Sequence, residues 1–216
     1  MDKFFFNCSF GRNLWPKSDW LYVRSPRWQD TSSWEQQDDG ISNVIPDDLK
    51  VEDTQMGQDR TGETYLSMLL RHPVTGNCRL RCSCSFADRM APLLVLSQEL
   101  TPVHHDHLEI VMYDRGINLW HHYFKDDKPS WELVGYMDLD LHPNTRYKLE
   151  AELYHTRKGV LLTMSCEGRS FGCKIGAWPK TYYAGITACE GRNTFYDFAL
   201  DSGIETPQVI IERTSD

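Results

Sequence analysis

The chain has 216 residues, 40% of them hydrophobic and 25% charged, with a formal net charge of −8, the make-up of a globular protein long enough for one large all-β domain. It holds no apolar run long enough to span a membrane. Its acidic balance, without a Lys/Arg cluster to replace counterions, argues against a nucleic-acid or anionic-membrane partner.

Taken in chain order, the opening from Met1 to Cys8 has three consecutive apolar residues after Lys3, too few for the heart of a secretory signal. A cytoplasmic location is therefore expected, or an extracellular one if a signal peptide has been removed. Arg24-Ser25-Pro26-Arg27-Trp28 reads as a loop. With Trp34 it offers Arg and Trp side chains to the rim of a binding groove. Residues 32–59 are polar and acidic and read as loops around short edge strands.

From Thr64 onward the pattern is short alternating segments separated by Gly, Pro, Asn and Asp, the signature of antiparallel strands. Ten are expected: 64–71, 78–86, 105–113, 117–124, 131–138, 146–154, 159–166, 169–175, 182–190 and 194–200. The intervening turns include His72 to Asn77, His142 to Thr145 and Glu167-Gly168. The tail after Gly203 is expected to be a frayed end or a last edge strand at Val209-Ile210-Ile211. No linker separates two units, so residues 1–216 are expected to form one two-sheet antiparallel sandwich. The seven cysteines are odd in number and sit in apolar segments, which suits reduced core thiols better than a disulfide framework.

Five of the eight histidines fall between residues 104 and 122. If Asp114-Arg115-Gly116 is a three-residue hairpin loop, Tyr113 pairs with Ile117, Glu109 faces His121 and His107 faces Tyr123. Alternation then sends Leu108, Ile110, Met112, Trp120 and Phe124 to the core. His105, His107, Glu109, Tyr113, His121 and Tyr123 go to a polar surface. A two-residue loop would instead pair Glu109 with His122. His107, Glu109, His121 and Tyr123 are the candidate catalytic groups, and Arg24, Trp28, Trp34, Arg79, Arg81, His105 and Tyr113 the candidate ligand contacts. No cofactor and no metal ligands are assigned. The alternative is a divalent ion, for which His105, His107 and His121 could supply three imidazoles. Asp126-Asp127 and Asp138-x-Asp140 are weak calcium candidates, without the spacing of a known cage.

The second half resembles a known superfamily. The turn and strand Asn144 to Leu153, the hairpin Gly159 to Met164 with Ser170 to Cys173, and the closing strands Tyr183 to Ala188 and Asn193 to Leu200 are similar to those of concanavalin A-like jelly rolls. Lys17-Ser18-Asp19-Trp20 and the middle hairpin resemble a bacterial galectin-like family of unknown function. The resemblance implies a jelly-roll sandwich that binds an oligo- or polysaccharide, as monomer or homodimer. The superfamily also includes glycoside hydrolases and polysaccharide lyases, so the fold leaves activity open.

A lyase would use Tyr and His as acid and base at a uronic acid. Tyr123-Phe124-Lys125 resembles part of one alginate-lyase motif, while the Gln-Ile-His strand of that family is missing. The three-carboxylate strand of laminarinase-type hydrolases is missing as well. A glycosidase needs paired carboxylates roughly 5 Å or 6.5–9.5 Å apart, and Glu109 has only Glu150 and Glu152 as distant partners. A non-catalytic structural or protein-interaction module is the remaining reading.

Overall fold

The computed structural model describes residues 3–28, 32–45, 64–87 and 90–208. The acidic stretch around Asp47-Asp48 and the expected strand at Val209-Ile210-Ile211 lie outside them. The strands are β1 (Phe5–Ser9), β2 (Trp20–Val23), β3 (Ser33–Gln36), β4 (Ile41–Val44), β5 (Tyr65–Leu70), β6 (Val74–Thr75), β7 (Cys78–Phe86) and β8 (Met90–Ser97). They continue with β9 (His107–Tyr113), β10 (Gly116–Lys125), β11 (Lys128–Asp138), β12 (Tyr147–Thr156), β13 (Gly159–Cys166), β14 (Arg169–Ile175), β15 (Thr181–Cys189) and β16 (Asn193–Ser202).

All ten expected strands are present, and they assemble into two antiparallel sheets. The first runs β14-β13-β12-β7-β16-β4-β3, with β1 also pairing β16. The second runs β11-β10-β9-β8-β15-β5-β2, with β6 on β15. One apolar core lies between them, with Leu80, Phe198 and Met164 from the first sheet meeting Leu96, Ile110 and Ile186 from the second.

Strand β8 escapes the alternation rule because it is apolar on both faces. Leu94 and Leu96 enter the main core, whereas Leu93 packs outward with Tyr65 and Trp28, and Val95 with Leu69 and Leu100. A strand buried on both sides reads as a continuous apolar run, not as an alternating one. Pro92, unable to donate to a ladder, sits where the β8–β9 register shifts between Met90 and Leu93, a position that tolerates it.

Two hairpins close with turns of the kind that twisted antiparallel strands favour. Asp126 and Asp127 both have positive φ (51° and 58°), as do Glu167 and Gly168 (50° and 72°). The Asp126-Asp127 pair thus serves as the β10–β11 turn. All seven cysteines are thiols, six of them buried. Burial pushes Cys8, Cys78 and Cys166 up to about 12.

Candidate functional site

The β9–β10 hairpin is tighter than the three-residue loop expected from Asp114-Arg115-Gly116. Tyr113 pairs with Gly116, so only Asp114 and Arg115 lie in the loop. Gly116 joins the sheet because β11 presses against it: a Cβ there would collide with the Met137 carbonyl. The register moves by one residue and exchanges the faces of β10. Glu109 lies opposite Trp120, not His121, and His107 lies opposite His122, not Tyr123. The outward face of the second sheet therefore carries His107, Glu109, Tyr113, Trp120, His122 and Phe124. His121 and Tyr123 turn toward the side of Leu108 and Leu119.

On that outward face the polar groups are buried. Residues 98–106 cross the sheet as a strap held to the loop after β2, with Arg24 N–H donating to the Pro102 carbonyl (2.9 Å) and His104 N–H donating to the Arg24 carbonyl (2.9 Å). The strap seats His104 against Ser67 Oγ (2.9 Å) and stacks its ring 4.3 Å from His107. His107 in turn stacks 4.7 Å from His122. Glu109 lies among them. Its Oε1 accepts from the Tyr65 hydroxyl at 2.7 Å and lies 3.3 Å from His107 Nε2, while Oε2 is 3.0 Å from His122 Nε2.

Burial alone would raise the Glu109 carboxyl, but the charge and hydrogen bonds of His122 and His107 outweigh it and hold the group well below its usual range. Burial, with His107 adding to it, pushes His104 well below the ordinary histidine value. Tyr65 is driven up by burial and by the neighbouring Glu109 charge.

Beside this cluster the sheet displays rings. Trp131 pairs with His122, and Leu133 with Trp120. A bulge at Val134 shifts the register between Leu119 and Trp120, so Leu133 and Tyr136, three residues apart, share the outward face. Trp131 and Tyr136 are exposed. The Arg27 guanidinium stacks 3.7 Å over the Trp131 ring, and Trp28 lies half-buried against Tyr65 and Leu93.

The candidate residues therefore separate. His107 and Glu109 lie in the buried cluster, with Tyr113, Trp28 and Arg24 at or near the same face. His105 precedes β9 on the strap, exposed, 4.0 Å from Glu99 and near Phe124.

Trp34, Arg79 and Arg81 belong to the first sheet. Trp34 packs edge-on against Phe195, Arg79 pairs with Glu152, and Arg81 pairs with Asp201 at 2.6 Å. Glu150 and Glu152 belong with Arg79 and are not available to Glu109.

His121 and Tyr123 lie together, rings 5.2 Å apart. His121 borders a cleft of about 260 Å³ with Glu132, Val134, Lys174 and Trp178. Its Nε2 is 2.9 Å from Asp106 and its Nδ1 3.5 Å from Glu132. The hydrogen bond to Asp106 outweighs burial and raises its pKa, with Glu132 adding to the effect.

Sequence reasoning assigned no role to Tyr65, His104, Trp131 or Tyr136, placed Arg27 only within the expected rim loop, sent Trp120 to the core, and named His122 only in the alternative register. The two-residue alternative pairs Glu109 with His122, whereas the loop of Asp114 and Arg115 sets Glu109 opposite Trp120 and His107 opposite His122.

The sequence matches no protein-family model and no curated protein. Solved structures do match. The carbohydrate binding module CBM66 from Bacillus subtilis aligns at 10% identity and TM-score 0.61, over 85% of this chain and 96% of that one. A Lotus tetragonolobus seed lectin aligns at 10% identity and TM-score 0.60, over 94% of this chain and 100% of that one. The cellulose induced protein Cip1 aligns at 12% identity and TM-score 0.57, over 94% of this chain and 100% of that one. Strand order, core and these likenesses agree that the chain has the concanavalin A-like jelly-roll fold.

Proposed function

We propose that the protein binds an oligo- or polysaccharide on the outward face of the second sheet. The observation that carries this reading is the row of exposed rings, Trp131 and Tyr136 with Arg27 stacked on the former, beside buried groups that fix polar orientation. A pyranose offers an apolar face to rings and hydroxyls to polar groups, and a site that couples the two gains affinity from ring burial and orientation from hydrogen bonds. Similar structures include proteins named as a carbohydrate binding module and a lectin, which supports the same reading. The thiol state of all seven cysteines suits a reducing compartment.

A second reading, a polysaccharide lyase, is favoured by the Tyr65 hydroxyl, His107 and His122 gathered around one carboxylate. A glycoside hydrolase has less support. Among the described residues, the outward faces of β9 and β10 carry Glu109 as their one carboxylate, and a glycosidase needs two.

A polysaccharide screen that records binding and the ultraviolet absorbance of unsaturated uronic products in the same wells separates these readings. Binding is expected, and Trp131→Ala should weaken it about tenfold, the effect of losing one stacked anchor. Product formation lost in His107→Ala would make the protein a lyase. Silence in both channels would overturn the carbohydrate reading.

A further inference from the structure

We propose that His107, Glu109 and His122 form a binding site for one divalent transition-metal ion, with zinc the best-matched occupant. This inference stands apart from the carbohydrate reading. The three side chains are buried, and one ring nitrogen of each histidine and a Glu109 carboxylate oxygen lie within 4.8 Å of one another, with both Nε2 atoms close to the carboxylate. His107 and His122 face each other on adjacent strands and Glu109 lies two residues along β9 from His107, on the same face, so the sheet fixes their spacing.

The hydrogen bonds set the donors. His107 Nδ1 is 3.0 Å from the His105 carbonyl, which can only accept, so Nδ1 carries the proton. In the neutral ring, Nε2 then directs its lone pair at a carboxylate oxygen 3.3 Å away. Two acceptors facing each other at that distance repel unless a proton or a cation lies between them. Glu109 Oε1 is already an acceptor for the Tyr65 hydroxyl.

A ligating histidine that gives its other N–H to a backbone carbonyl, and a ligating carboxylate held by a hydroxyl, are the supporting contacts metal sites use. Two imidazoles and one carboxylate suit zinc and its first-row neighbours better than calcium or magnesium, which favour oxygen donors. Three protein donors leave a coordination position for water or a ligand oxygen.

The test uses the full chain, stripped with chelator and free of any affinity tag, titrated with Zn²⁺ and separately with Co²⁺ as a spectroscopic probe. About one equivalent of Zn²⁺ should bind per chain, as three-donor sites hold a single ion. Bound Co²⁺ should give visible d–d absorption without thiolate charge transfer, and Zn²⁺ should raise the melting temperature. Glu109→Gln and His122→Gln should abolish all three effects. Tyr65→Phe, which keeps the ligands, should weaken binding about tenfold or more while leaving the circular dichroism unchanged.

Absence of binding by the wild-type chain would overturn the proposal. So would a thiolate charge-transfer band, or affinity unchanged in Tyr65→Phe. The wild-type spectrum and the Tyr65→Phe affinity decide the matter even if a ligand variant fails to fold. Because the titration contains no glycan, its failure is distinguishable from failure of carbohydrate binding.

Discussion

At the scale of single residues, burial decides chemistry. A thiol reacts as its thiolate, and a group pushed up to about 12, as Cys8, Cys78 and Cys166 are, is ionised to only about one part in ten thousand at pH 8. Enclosure adds a steric barrier for those three and for the other buried thiols. Cys173, on β14, is the one cysteine that is only half-buried. A disulfide-exchange reagent at pH 8 should therefore consume at most one thiol quickly in the native protein and all seven in denaturant. Two or more fast thiols in the native state would contradict this packing. The same accounting separates the charged groups. Arg79 and Arg81 read from sequence as ligand contacts, because sequence does not show that Glu152 and Asp201 lie on neighbouring strands to pair with them.

At the scale of elements, the β9–β10–β11 meander sets the site, and Gly116 sets the meander. Alanine there would carry φ near +140° and a Cβ against the Met137 carbonyl. Strain of this kind costs about 1–3 kcal/mol for the backbone alone, so Gly116→Ala should lower the melting temperature by about 5–10 °C for a chain of this size. It should also weaken any ligand that uses Trp131, because β11 would have to move. An unchanged melting temperature would mean that the hairpin relaxes freely and that its register is not pinned there. This glycine also marks the limit of what sequence could show. Alternation located ten strands because most have one face in the core and one outside. It passed over β8, buried on both faces, and β1 and β2, short segments beside aromatic-rich loops. The register of the histidine hairpin depends on whether a glycine after Asp114-Arg115 belongs to the loop or the strand, and the close approach of β11, which decides that, is a tertiary fact. One residue of slip was enough to exchange His121 and Tyr123 for Trp120 and His122. His104 and Tyr65 came to the cluster through a strap and a distant strand, which no local pattern encodes.

At the scale of the whole molecule, the two ends of the described chain are stitched together. Strand β1 pairs with β16 from Phe5↔Asp201 to Ser9↔Asp197, filling the edge that β4 leaves beyond Thr194 and Phe195. Phe6 lies edge-on to Trp20 at 5.8 Å and 6.3 Å from Phe198, so β1 also covers part of the core shared by both sheets. Phe5, on the opposite face of the strand, is exposed. These facts separate two views of the segment. If β1 is a loosely attached end, removing residues 1–9 costs little. If it belongs to the cooperative unit, removal deletes the half-buried Phe6 and the buried Cys8 from the margin of the core, together worth about 3 kcal/mol, and bares a strand edge able to pair with another chain. The second view follows from the pairing and burial. The truncated chain should melt more than about 10 °C below the full chain and aggregate at concentrations where the full chain does not. Phe5→Ala, which keeps the strand and removes only an exposed ring, should stay within about 0.5 kcal/mol of wild type. A truncated chain with an unchanged melting temperature would show that the sandwich closes without β1, and that β16 tolerates the open edge.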